Sequence, residues 1–228
     1  PELKSKKVGR SVATLGFSPD SRWLARLENA VPVTADYSMS SIELGDVVVG
    51  PADGGPGEKL GVTAKDFNFA PDSSAVAFLE KYSFSTRGGA GTVTVATIPG
   101  GKPKSLWTKA RNHTWSSNGK YLAFAAYMFS KEQGASADLF VYTLGEETPI
   151  KVRSGVWGGY SVGPKSDYLM ARADCSRMGE TKMGETGMPR ACDLYMLELG
   201  KPNAEPKKVA PGIFSFKISD EGERVLVT

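Results

Sequence analysis

The chain has 228 residues, 28 basic against 25 acidic side chains, a net charge of +3, one histidine and two cysteines. That length accommodates one large domain with a proper core, and so slight a charge, spread through the chain, argues against nucleic acid as the partner. No apolar run approaches the roughly 20 residues a membrane helix needs, and one histidine with two cysteines falls short of the usual zinc sets.

Residues 1–10 carry the densest basic run, Lys4, Lys6, Lys7 and Arg10, which reads as a solvated strand edge. Lys6–Val8 (KKV) falls in register with KKV at Lys207–Val209, so the N-terminus reads as a lone fourth strand, D, of a repeating unit. The repeat opens at Phe17–Arg26, FSPDSRWLAR, and returns at Phe69–Phe78, Trp115–Phe124, Val162–Ala171 and Ile218–Val227 without a gap. Its first column is apolar, its second small, and columns three to six are polar or turn-forming. The eighth is always a branched aliphatic: Leu24, Val76, Leu122, Leu169 and Val225. Apolar residue, turn, apolar strand spells a β-hairpin. Pro19, Pro71 and Pro164 preset φ, while Gly119 and Gly222 supply positive φ.

Each of the first four hairpins is followed by a longer connection and one more strand (GDVVVG, GTVTVATI, DLFVYTL, DLYMLEL). A Gly- or Pro-bearing turn and an aliphatic anchor (Leu60, Leu106, Val152, Val209) complete the unit. A period of about fifty residues suits a propeller blade with strands A to D. The expected fold is all-β, a β-propeller of four-stranded antiparallel blades in one domain over 1–228. Blade 1 covers 11–63, blade 2 64–109, blade 3 110–154, blade 4 155–210 and a partial blade 5 211–228, with 1–10 as a closing strand D. Strand C of blade 5 is missing. Either a short C-terminal piece is absent or these are consecutive units of a larger ring.

The B–C connections are the long ones: Asn29–Ser41, Lys81–Ala90, Tyr127–Ala137 and Ser176–Ala191. In a propeller they reach one rim, and they read as irregular loops. They carry Tyr37, Met39, Tyr82, Phe84, Arg87, Tyr127, Met128 and Phe129. Aromatics, Met and Arg are the types enriched in interface cores, so these eight residues are the candidate binding surface. The competing reading is that they fold back as local caps over the blade ends. The A–B turns opposite (SPDSR, APDSS, SSNGK, GPKSD) suit solvent.

Cys175 ends strand B of blade 4 and Cys192 opens strand C, so a B–C hairpin sets them side by side and a disulfide is expected. Tyr160–Val162 lies in GYSVG, which satisfies the G-x-S-x-G elbow of serine hydrolases. That motif has meaning only between a strand and a helix, with the histidine following the serine. Here Ser161 sits in strand A and His113 precedes it. The thioethers of Met178, Met183 and Met188 fit a short duplicated insertion, MGET twice, better than a copper site. No metal and no cofactor is called for. Arg26 occupies a column otherwise holding Phe78, Phe124, Ala171 and Val227, and a charge there needs a partner or a wet wall.

FSPDSRWLA and FAPDSSAVAF, followed by DLFVYTL or DLYMLEL, resemble the WD-like repeat of TolB-type β-propellers (the six-bladed TolB-like superfamily) over essentially the whole chain. The same repeat builds the propellers of prolyl oligopeptidase-like enzymes, so the resemblance implies a fold and no activity. With the cysteine pair it implies a periplasmic or extracellular protein. The expected function is a non-catalytic module that binds or scaffolds another protein, in an envelope or multisubunit complex, through its B–C side. The alternative is the substrate-gating propeller of a hydrolase whose catalytic domain lies outside this chain.

Overall fold

The computed structural model describes residues 7, 9–34, 41–85, 88–130, 134–157, 159–165, 167–175, 191–201 and 203–228, with backbone alone at 85, 88, 128–130, 134 and 135. It divides into two compact units, 1–113 and 114–228.

In the first unit, β1 (Thr14–Phe17), β2 (Trp23–Thr34), β3 (Ser41–Pro51) and β4 (Glu58–Ala64) form an antiparallel sheet in chain order. Four more strands then pair antiparallel in chain order: β5 (Asp66–Phe69), β6 (Ala75–Ser85), β7 (Gly88–Thr97) and β8 (Lys104–Trp115), whose last two residues belong to the second unit. β8 is unbroken, so strand D runs straight into the next strand A, with Lys109 in the left-handed region at φ 59° between the two roles. The second unit holds β9 (Tyr121–Ser130), β10 (Gly134–Thr143) and β11 (Ile150–Val156). Then come β12 (Tyr160–Val162), β13 (Tyr168–Ala173), β14 (Cys192–Glu198) and β15 (Lys207–Ile213), and a last hairpin of β16 (Phe216–Ile218) and β17 (Val225–Val227).

The repeat columns explain the packing. Strand side chains alternate between faces, so columns eight and ten point one way, and column nine and the residue just past the repeat (Ala25 and Leu27) the other. Val76 and Phe78 (columns eight and ten) pack on Ala25, Leu27, Val47 and Val49 of the sheet before them. Leu169 and Ala171 do the same against Ala123, Leu139 and Val141. Val225 and Ile218 close over Met170 and Leu194. Within each unit, therefore, a sheet buries one apolar face on the sheet before it in the chain.

Four A–B turns share one construction among the described residues. The amide of the fifth-column residue donates to the carbonyl of the second: Ser21 to Ser18, Ser73 to Ala70, Gly119 to Ser116 and Gly222 to Ser219. All four fifth-column residues have positive φ, so Ser21 and Ser73 accept a conformation that costs a non-glycine side chain. Side chains offset that cost. Ser18 Oγ donates to Asp20 at 2.6 Å and accepts the amide of Trp23, while Ser116, Asn118 and Tyr121 repeat the wiring. The Ser18 hydroxyl and then the Arg22 guanidinium hold the Asp20 carboxyl well below the usual carboxylate range. Turns also join turns. The Asp20 amide donates to Ser73 Oγ in the first unit, and Asn118 donates to Asp167 in the second, where Lys165 also pairs with Glu221. The turns expected to be solvated are largely exposed, yet within each unit they are tied to one another.

A second recurring device bends strand B. Asn29, Lys81 and Asp174 occupy one repeat position, and all have φ near 51°. Gly45 and Gly91 lie opposite the first two bulges, where a Cβ would stand 2.7 and 2.8 Å from the carbonyl oxygens of Glu28 and Glu80.

Candidate functional site

Beyond these bulges the strands continue, which corrects the expectation of irregular B–C loops. β2 and β3 pair from Val31↔Leu44 to Thr34↔Ser41, and β6 and β7 from Ser83↔Ala90 to Ser85↔Gly88. β9 and β10 pair from Tyr127↔Ala137 to Ser130↔Gly134. These three connections begin as two-stranded ribbons. In the first two the physical reason is the bulge, which absorbs one residue and re-aims the ladder without ending it, whereas the third keeps an unbroken register.

Of the eight candidate residues, Tyr82 and Phe84 are brought together, their rings edge to face with centroids 5.6 Å apart. Tyr82 is only 8% exposed. The Lys65 ammonium lies 5.4 Å from its ring, and Gly89 leaves room for it: a Cβ there would lie 2.3 Å from the phenol oxygen. Burial pushes the phenol's pKa up. Tyr82 is thus a local cap that supports Phe84 from beneath, while Phe84 and Tyr127 are half-buried and reachable. Met128 and Phe129 lie in β9, paired with Ser136 and Ala135. Tyr37, Met39 and Arg87 lie outside the described residues, as do Met178, Met183 and Met188.

Cys175 and Cys192 form a disulfide at the base of the fourth B–C connection, with Cα atoms 3.9 Å apart. Beside it the Arg153 guanidinium stacks on Tyr195 at 3.9 Å and pairs with Asp174, which also accepts the Tyr195 hydroxyl. Sequence reading found the cysteines by their place in the repeat. It missed this pair, because Arg153 and Asp174 belong to different blades.

Two further positions bear on chemistry. Ser161 lies inside β12, paired with Met170, and so has a strand on either side of it in sequence rather than the helix an elbow requires. His113, in β8, is fully buried, with Asn68 Nδ2 3.4 Å from Nε2 and Asp66 3.8 Å from Nδ1. Burial holds this imidazole below its ordinary pKa, against the opposing pull of Asp66. Among the described residues no three His, Cys, Asp or Glu side chains gather as a metal site. None of their helices is long and apolar enough to cross a membrane.

The β-propeller domain of the Trilobed protease from Pyrococcus furiosus matches 97% of this chain and 64% of its own, with a TM-score of 0.57 and 14% identity. A eukaryotic initiation factor structure matches 99% of this chain and 51% of its own, at 0.53 and 13%. A prolyl endopeptidase structure matches 98% and 32%, at 0.53 and 16%. The fold is a β-propeller.

At such identities the likeness concerns the fold alone. No protein-family profile matches the propeller, and no curated protein matches it in sequence. It spans 64%, 51% and 32% of the three solved chains named here, all less than two-thirds.

Proposed function

We propose that this propeller is a non-catalytic, TolB-type module that binds another protein through its B–C ribbons, in an oxidising compartment such as the periplasm or cell exterior. The observation that carries the proposal is the ribbon construction. A ladder that continues past its bulge holds Phe84 on a buried Tyr82, and an unbroken ladder carries Tyr127 on a paired strand. Aromatic groups presented on a rigid scaffold lose little entropy on binding. The disulfide fits the compartment. Neither cofactor nor nucleic acid enters this reading.

A second reading has one observation in its favour. Propeller domains of proteases are among the similar folds, and this chain spans only part of them. Under that reading the propeller gates substrate for a hydrolase domain on the same native polypeptide. Intact mass of the natively purified protein separates the two, because an attached hydrolase domain replaces the lead reading.

The direct test uses immobilised chain as bait in periplasmic or secreted extract. Phe84→Ala with Tyr127→Ala is compared with Arg22→Ala with Lys120→Ala on the A–B turns. Truncating a hot-spot aromatic costs about 2 kcal/mol or more, roughly thirtyfold in affinity. Loss of capture by the ribbon pair alone, at equal thermal stability, supports the proposal; loss by the turn pair alone refutes it.

A further inference from the structure

Arg26 stands where the same column of later blades packs an apolar side chain on the preceding sheet, as Phe78 and Ala171 do. It is 3% exposed. Its Nε donates to Glu28 Oε1 at 2.7 Å, and this is a short, partly buried ion pair. Its Nη1 is buried and has no hydrogen-bond acceptor among the described residues. A guanidinium carries five donors in a fixed fork, and a buried donor left without an acceptor calls for water or an ion.

That side chain forms part of the wall of a cleft of about 500 Å³. Strand register sets the rest of the wall, with Arg26 opposite Val48 and Val48 opposite Lys59. Glu28 and Asp46 pair one step along. The floor is the connection 54–57, rich in glycine. A Cβ on Gly57 would stand 3.0 Å from Arg26 Nη2 and 2.6 Å from Val48 Cγ1, so only glycine leaves the fork room there. Lys59 reaches Asp46 at 3.4 Å, and Lys7 lies at the edge. Three cations against two carboxylates leave one formal positive charge in the cleft.

From this geometry we infer a carboxylate-binding site in blade 1, in which the Arg26 fork takes a monovalent carboxylate that enters over Gly57. A planar carboxylate matches the planar fork, and charge-assisted bonds of this kind are the strong ones. Glu28 fixes the guanidinium through Nε and leaves the Nη side to the ligand. Glu28 and Asp46 also disfavour a doubly charged anion such as phosphate. The carboxylate comes either from a small free acid or from an acidic side chain of a protein partner.

The experiment titrates the ¹⁵N-labelled chain with N-acetylglycine (a free terminal carboxylate), N-acetylaspartate amide (a side-chain carboxylate) and N-acetylasparagine amide (neutral), following the Arg26 Nε–H signal. The inference expects saturable shifts with one or both carboxylates and none with the neutral amide. The carboxylate that binds more tightly identifies the source. Arg26→Gln, followed instead through the backbone amide of Gly57 on the cleft wall, should weaken binding at least about tenfold. Should that variant fail to fold, Gly57→Ala keeps the arginine, crowds its fork, and should also weaken binding about tenfold. Equal response to acid and amide, no response to either carboxylate, or full binding by a folded Gly57→Ala protein overturns the inference.

Discussion

At the scale of single residues, His113 gives the sharpest expectation. Burial disfavours its charged form and outweighs the opposing pull of the Asp66 carboxylate and the Ala77 backbone, while the Lys65 ammonium acts with burial and the Asn68 amide lies beside the ring. The folded chain refuses a proton that the unfolded chain accepts as pH falls through the ordinary value of 6.5. Stability is therefore fully present above that value and declines below it. The slope is at most about 1.4 kcal/mol per pH unit, until the folded pKa is reached. Urea denaturation between about pH 7.5 and about pH 5 should show this limb, and His113→Gln should flatten it. Identical slopes in the two proteins would contradict the assignment. Ser161 yields a second expectation: a fluorophosphonate probe should leave it unlabelled, since a serine within β12 lacks the strand-to-helix elbow that presents such a nucleophile. Arg26 stood out in the sequence as a charge in an apolar column. Its ligation by Glu28 did not, because only the strand conformation puts residues two apart on one face.

At the scale of elements, the repeat made strands A to D legible, because its columns encode both the turn and the alternation that packs one blade on another. Two features stayed hidden. Ser21 and Ser73 take positive φ where sequence rules would ask for glycine, and the compensation by Ser18, Asp20 and Asp72 is read only from hydrogen bonds. The B–C ribbons stayed hidden too, since a bulge at Asn29 or Lys81 leaves a pattern that resembles the end of a strand. The role given to the bulge is testable. Gly91→Ala would drive a methyl group toward the Glu80 carbonyl, where backbone has little freedom to yield. It should cost about 1–3 kcal/mol of stability in chemical denaturation. Gly145→Ala is not a suitable control, because its φ of 97° imposes backbone strain of its own. A better one is Lys102→Ala, an exposed position expected to change stability by less than about 0.5 kcal/mol.

At the scale of the whole molecule, the all-β repeat and the disulfide were both readable from residue columns, and the structure bears out both. The candidate site was read less completely: Tyr82 turned out to be a buried support beneath Phe84, because burial of a loop aromatic depends on glycines a ladder away. The disulfide closes a long connection, so replacing Cys175 and Cys192 together by alanine should lower stability by about 3 kcal/mol, measured by denaturant midpoint.

Recognition through the ribbons is the central claim, and site-specific photo-crosslinking in the native compartment tests it most directly. A photoreactive residue is placed in turn at 84 and 127 on the ribbons and at 22 and 120 on the A–B turns. Protein adducts of one discrete mass from 84 and 127, with none from 22 and 120, are the predicted result. Discrete adducts from 22 and 120 with silence at 84 and 127 would contradict it.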